Sequence, residues 1–441
     1  MTHFLRNVAA AALAASVALA VSNASATTSP VEVVVSPQGT EAWLRRDSSL
    51  PIVSLAFRFT GGAALDAPGK EGLAQFMAAL LDEGAGPYDA VAFRDRLDDR
   101  AIRLSFSAGR DSLFGTLHTL RENVEEAATL LGHALARPRF DDEPVARIRS
   151  QLEAVRAQNE TRPGSVGRTR WFSLVFGDGP YGRPSSGTQA SLAGINVEDL
   201  RAAVSERLVR RRLVVGVAGD IDRETLARVL DLAFGDLPAG KLPDEAPENG
   251  NFAGQAVHVS MDIPQTELVF GLPGVARDDA DFFPAFVLNS VLGGGTPGTR
   301  LEQEVRIKRG LAYSIYTYLA DAERAPILIG ATSTRDESAG ETVAVVRDVV
   351  RRTAAGGLTA GELADAKLYI TGSFPLALDS TSEIAGFLVA MQANDLGIDY
   401  LDRRNALVEA VTIEDVQRVA KRLLVEDAMV WVAVGRSNPF P

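Results

Sequence analysis

Two side chains in this sequence have the types and the spacing to act together on one carbonyl group: Arg306 and Tyr313. They lie in the stretch Leu292 to Tyr318, LGGGTPGTRLEQEVRIKRGLAYSIYTY. A guanidinium and a phenol converging on one cleft could hold a peptide carbonyl and stabilise developing oxyanion charge. The surrounding residues supply the corner that this needs. Gly293, Gly294 and Gly295 suit a tight turn or a close backbone approach, and Pro297 and Thr299 lead into a helical pattern. That helix is expected to end near Arg309, with Gly310 taking the left-handed conformation that closes it. Beyond it, Leu311, Tyr313, Ile315 and Thr317 alternate with the two-residue period of a strand.

The elements around this corner read as a mixed chain. Val31 to Val35, Glu41 to Arg46 and Ile52 to Thr60 are short β-rich runs, expected to form an antiparallel meander ending at Gly61 and Gly62. Leu73, Phe76, Met77 and Leu80 have helical spacing and predict a helix from about Glu71 to Leu81. Helical patterns then alternate with strands as far as Phe234. Between Leu237 and Gly254, Pro, Gly, Asp and Asn dominate, the composition of an exposed linker. The second half passes through the same sorts of element.

The halves read as an internal duplication. Val197, Glu198, Asp199 and Gly219 match Ile413, Glu414, Asp415 and Gly435 at one offset of 216 residues (413 − 197), through a helix and the strand that follows it. The expected fold class is therefore α+β. It comprises two similar domains, 27–237 and 255–441, each an antiparallel sheet packed with helices, joined by a linker at 238–254 and forming a clamp. Ligands commonly bind in the cleft between two such bodies.

Composition bounds the chemistry. An apolar fraction of 46% can fill two cores, and 441 residues exceed what one core usually serves. A formal net charge of −12 argues against a nucleic-acid binder, whose phosphate contacts need clustered cations. His3 and Arg6, an Ala-rich run from Val8 to Val21 and Ala24-Ser25-Ala26 predict a signal peptide over 1–26, cleaved after about Ala26. The alternative is an uncleaved anchor, for which the run is shorter than the roughly 20 residues a span needs. No later segment reads as transmembrane, and the expected location is the periplasm. There are no cysteines, hence no disulfide or thiolate chemistry. Neither a P-loop nor a Gly-x-Ser-x-Gly elbow is present.

Gly62-Ala63-Ala64-Leu65-Asp66, Gly69 to Leu81, and Gly293 through Arg300-Leu301, Glu304-Val305-Arg306 and Arg309 to Ser314 together resemble the M16 (pitrilysin-like, inverzincin) metallopeptidases. The likeness is to the branch of short two-domain subunits that includes the mitochondrial processing peptidase. Active members carry His-x-x-Glu-His on the first helix, two histidines for zinc and a glutamate as general base. The corresponding slots here hold Gln75, Ala78 and Ala79. Glu153 is the nearest candidate for the family's further glutamate ligand, and reads as an ordinary surface carboxylate. His118, His133 and His258 have no histidine within a helical turn and read as structural. No metal or other cofactor is therefore expected in this chain.

The resemblance implies a non-zinc subunit that gives Arg306 and Tyr313 to a partner bearing His-x-x-Glu-His, with zinc in that partner. Peptide substrate would lie as an extended strand in the cleft, against the Phe57 to Gly62 strand end taken as a sheet edge, with Gly61, Gly62, Gly293, Gly294 and Gly295 as substrate-binding positions. The alternative is a catalytically inactive peptide-binding or assembly scaffold of the same fold.

Overall fold

The structure, a computed structural model, describes residues 30–241, 247–320 and 322–440. The expected signal peptide with its cleavage site, and residues 242–246 of the linker, lie outside the described residues.

The first sheet contains β1 (Val31–Val35), β2 (Glu41–Arg46), β3 (Ile52–Thr60), β4 (Arg103–Ala108), β5 (Ser112–Leu120) and β6 (Leu213–Gly219). Their order is β1-β2-β6-β3-β5-β4. The three opening strands thus do not form a simple meander. β6 enters between β2 and β3, parallel to the first and antiparallel to the second. Its run LVVGVAG is apolar on both faces, which suits a central position rather than an edge. The second sheet contains β7 (Ala256–Ser260), β8 (Gln265–Pro273), β9 (Ala312–Ala320), β10 (Ile327–Arg335) and β11 (Val430–Gly435), in the order β7-β11-β8-β10-β9. There β11 enters between β7 and β8 with the same directions. The duplication is thus carried in topology as well as in sequence.

The helices that bear on function are α1 (Leu73–Ala78), α2 (Asp142–Thr161), α3 (Pro163–Phe176), α4 (Val197–Arg207), α5 (Phe282–Leu292), α6 (Thr381–Ala393) and α7 (Ile413–Leu423). The duplicated pair α4 and α7 opens on equivalent capping boxes. Asn196 and Asp199 bond reciprocally at one, Thr412 and Asp415 at the other. Thr412→Ala should cost about 1 kcal/mol of stability, read as a lower denaturation midpoint that Thr412→Ser restores.

Each half lends a helix to the other. α3 lies on β8 and β11 of the second sheet, while α6 lies on β2, β3 and β6 of the first. Glycines allow the approach. A Cβ at Gly271 would stand 2.4 Å from the Trp171 ring, and one at Gly216 would stand 2.3 Å from the Ala385 carbonyl oxygen. Trp171 Nε1 donates to the Val430 carbonyl at 3.0 Å, and Gln392 Nε2 to that of Val215 at 2.8 Å. β11 consequently buries Trp431 and Ala433 on its own half's helices and Val430, Val432 and Val434 beneath α3. The far part of the linker is docked rather than solvated. Asn251 donates to the Val175 carbonyl at 2.8 Å, and Glu248 pairs with Arg324 at 3.1 Å. Among the described residues no single helix is long and apolar enough to cross a membrane.

Candidate functional site

Helix α1 is shorter than its periodicity predicts, because Gly72 sits at φ 93° and cannot belong to it. Asp66 holds its first turn, accepting from the N–H groups of Gly72 at 3.0 Å and Ala74 at 3.1 Å. Arg207, at the end of α4, donates to the same carboxylate at 2.8 Å, and both side chains are buried. Burial pushes the Asp66 carboxyl up, and Arg207 with the two N–H groups pulls against it. Pattern reading passed over Arg207, because nothing in its local sequence marks a partner 141 residues away.

The helix so held presents nothing to a metal. Ala78 is 3% exposed and packs its methyl into the first core, while Gln75 and Ala79 are half-buried. An alanine has no donor atom, and a single glutamine amide does not replace two imidazoles, so these residues do not fit zinc. Glu153 is half-buried on α2. His118 Nδ1 lies 2.7 Å from Ser54 Oγ, His258 Nε2 lies 3.0 Å from the Gly435 carbonyl oxygen, and His133 packs near the Tyr88 ring. Among the described residues, no group of three or more His, Cys, Asp and Glu comes together as a metal site requires.

Arg306 and Tyr313 do meet. The helical segment carrying Arg306 is wound over Glu302–Ile307 as a π-helix, a wider coil found mostly as single turns. Gly310, at φ 62°, then turns the chain into β9. The Arg306 guanidinium lies 5.1 Å from the centre of the Tyr313 ring and is oriented by Glu302 Oε1 at 2.8 Å. Tyr313 is 84% exposed. Neither side chain lines the cleft cavity that Gln75 borders.

Glu304 braces the same turn through Lys308 at 2.8 Å and through Arg309. These bonds, that to Lys308 first, lower its pKa from 4.5 to about 2. A carboxylate depressed in the folded state contributes stability above its unfolded pKa and loses it as pH falls through the folded one. Wild type should therefore be more stable than Glu304→Gln above about pH 4.5, with thermal melts of the two converging as pH approaches about 2.

The glycines serve the backbone. Gly61, at φ 98°, donates to the Asp111 carbonyl at 2.6 Å, and a Cβ at Gly62 would stand 2.3 Å from the Gly109 oxygen. Both fasten β3 to the β4–β5 turn. Gly293 and Gly294 donate to the Asn289 carbonyl at 3.0 and 2.8 Å, closing α5, and Gly293 accepts from the Thr317 N–H. Gly295 faces open space at φ 93°. The Phe57 to Gly62 strand end is not a sheet edge, because β6 and β5 flank β3 on its two sides. The long open edge beside the Arg306/Tyr313 corner is β9, which pairs with β10 alone among the described strands.

Between the halves lies a cavity of about 530 Å³. Gln75, Ser185 and Ser186 border it on one side, and Tyr316, Tyr318 and Glu267 of the second sheet on another. Burial raises the Glu267 carboxyl. Outside the cavity, Tyr181 donates to Asp111 at 2.6 Å and accepts from the Arg324 N–H at 3.1 Å, tying the halves together.

Residues 194–369 match the family described as Peptidase M16 inactive domain. A relative named non-peptidase homolog YmxG, from Helicobacter pylori, is 29% identical over 76% of this chain and 77% of its own length. An uncharacterized zinc protease of Streptomyces coelicolor is 26% identical over 82% of this chain and 80% of its own. In three dimensions, the crystal structure of a peptidase M16 inactive domain from Pseudomonas fluorescens superposes with a TM-score of 0.87 at 27% identity, covering 92% of this chain and 98% of that one.

Proposed function

We propose that this chain, which is similar over residues 194–369 to the Peptidase M16 inactive domain and along most of its length to M16 relatives, is the non-zinc subunit of a periplasmic heterodimeric M16 peptidase. One contrast carries the reading. The metal helix is kept in place by Asp66 and Arg207 yet filled with a core methyl, while Arg306 and Tyr313 are assembled and exposed outside the chain's own cleft. A pair that is exposed and does not line the cleft cavity is available to a neighbour. In the complex, Arg306 would hold a substrate carbonyl and the Tyr313 hydroxyl would donate to the oxyanion as it forms. Zinc and general base would come from a partner bearing His-x-x-Glu-His.

A second reading, a catalytically inactive scaffold, is favoured by the name of the Helicobacter pylori relative. The two separate on reconstitution. The isolated chain should contain no stoichiometric zinc and hydrolyse no peptide under either reading. Added to a zinc-loaded partner, it should raise peptide hydrolysis severalfold or more if it is a subunit. Binding that leaves hydrolysis unchanged would point to the scaffold.

A further inference from the structure

The exchanged helix α3 covers only part of the sheet face on which it lies. Gly164, Gly167 and Trp171 bring it down on Glu267, Val269 and Gly271 of β8, and beyond β8 the same face continues across β10, whose Ile329 and Ala331 are buried, to β9, where Tyr316 is exposed. Ala331 pairs with both Val269 and Tyr316, and Ile329 with both Gly271 and Tyr318, so Tyr316 and Tyr318 stand on that face. Their rings stack 6.3 Å apart at 21°. Tyr316 and Tyr318, with Ile329 and Ala331 beside them, form the floor of the cavity bordered by Gln75.

The cavity's charges are unlike those of the chain as a whole. The protein carries a net charge of −12, yet two guanidinium groups line the cavity, Arg162 at the α2–α3 junction and Arg168 on α3. Arg168 Nη1 donates to the Tyr318 hydroxyl at 2.7 Å, which aims it along the tyrosine floor. Glu267 is the only carboxylate among the lining residues, and burial raises its pKa. Ser165, Ser185, Ser186 and Asn159 add neutral hydrogen-bonding groups. The volume falls within the range of cavities that take small ligands.

We infer that this cavity binds an extended peptide bearing a carboxylate, with the carboxylate on Arg162 and Arg168 and the peptide's side chains over Tyr316 and Tyr318, adjoining the free edge of β9. Guanidinium groups are suited to carboxylates by their planar donor fork, and an unpaired strand edge supplies main-chain hydrogen bonds to an added strand. The carboxylate has two possible sources, the peptide's own C-terminus or an acidic side chain. The site needs no second subunit, so it stands or falls separately from the role of Arg306 and Tyr313.

The test uses the whole mature chain and three dansyl-labelled pentapeptides, read by fluorescence anisotropy. The first is Ala-Val-Thr-Val-Ala with a free C-terminus, the second is its C-terminal amide, and the third is the amide with Glu at the fourth position. Free acid binding about tenfold or more tighter than the plain amide assigns the C-terminus. Recovery of binding by the Glu-bearing amide assigns the side chain. In either case Arg162→Gln/Arg168→Gln should lose about tenfold or more for the carboxylate peptide, while its thermal melt stays near that of wild type because both arginines are exposed. Equal binding of all three peptides, absence of binding, or an arginine double variant that binds as tightly as wild type would overturn the inference.

Discussion

Tyr313→Phe should lower peptide hydrolysis by the assembled complex on the order of a hundredfold, with the complex itself intact. Removal of one oxyanion donor typically costs 10² to 10³ in turnover, about 2.7–4 kcal/mol of transition-state stabilisation. The substitution removes only the hydroxyl. The ring stays beside the Arg306 guanidinium, whose centre is 5.1 Å away, so the packing of the corner should survive. At 84% exposure, Tyr313 has almost no stabilising burial to lose. A drop in kcat at constant KM would indicate an interaction made only in the transition state. Arg306→Lys separates the partner residue's role. It keeps the charge but loses the planar fork, so it should raise KM more than it lowers kcat if Arg306 positions the substrate carbonyl. Unchanged kinetics in both variants would leave the pair no part in catalysis.

Arg207→Met should destabilise the fold by about 3–5 kcal/mol at neutral pH, the usual cost of leaving a buried charge without its partner. The guanidinium and the Asp66 carboxylate are 7% and 2% exposed, so water does not replace the lost bond. The deficit should depend on pH with a definite sign. Without Arg207, desolvation raises the Asp66 pKa further. A carboxyl whose folded pKa is raised contributes stability below its unfolded pKa and loses it as pH rises through the folded one. The variant's deficit should therefore be largest at neutral pH and shrink as the solution is acidified toward the ordinary carboxylate value of about 3.9, as urea midpoints across pH would show. Asp66→Asn in the same chain should recover part of the loss at neutral pH, since it removes the stranded charge.

The same pair explains how α1 is held in place without a metal. Asp66 and Arg207 fasten the start of α1 to the end of α4, and Phe76, Met77 and Ala78 then fill the first core. Those are structural duties, and they continue whatever occupies the slots of Gln75, Ala78 and Ala79.

Local elements were legible in the sequence because their signals are local. The first three strands fall at the residues their periodicity indicates. The family resemblance was also legible in short runs, the three glycines with Arg306 and Tyr313 at their spacing. Pairing was a different matter. The insertion of β6 between β2 and β3 unites residues more than 150 positions apart, and no two-residue alternation encodes which strand becomes a neighbour. This is why the Phe57 to Gly62 run read as an edge and is an interior strand.

The exchange of α3 and α6 was hidden for a similar reason. Gly216 and Gly271 are single glycines inside strands, and nothing in the sequence around them marks the place where a helix from the other half arrives. The linker's polar composition concealed Asn251 and Glu248, whose partners Val175 and Arg324 lie in different halves. The cavity floor was missed because Tyr316 and Tyr318 acquire their meaning only from what α3 leaves uncovered.

Purification of the tagged mature chain from its own cells, with co-purifying proteins identified and zinc and peptide hydrolysis measured before and after the companion is stripped away, tests the central claim most directly. The account predicts a stoichiometric companion bearing His-x-x-Glu-His, with zinc and activity leaving alongside it and returning when it is added back. A chain that emerges alone and inert would contradict the subunit role in favour of the scaffold, and one that emerges alone, zinc-loaded and active would contradict the reading of α1 as an emptied metal helix.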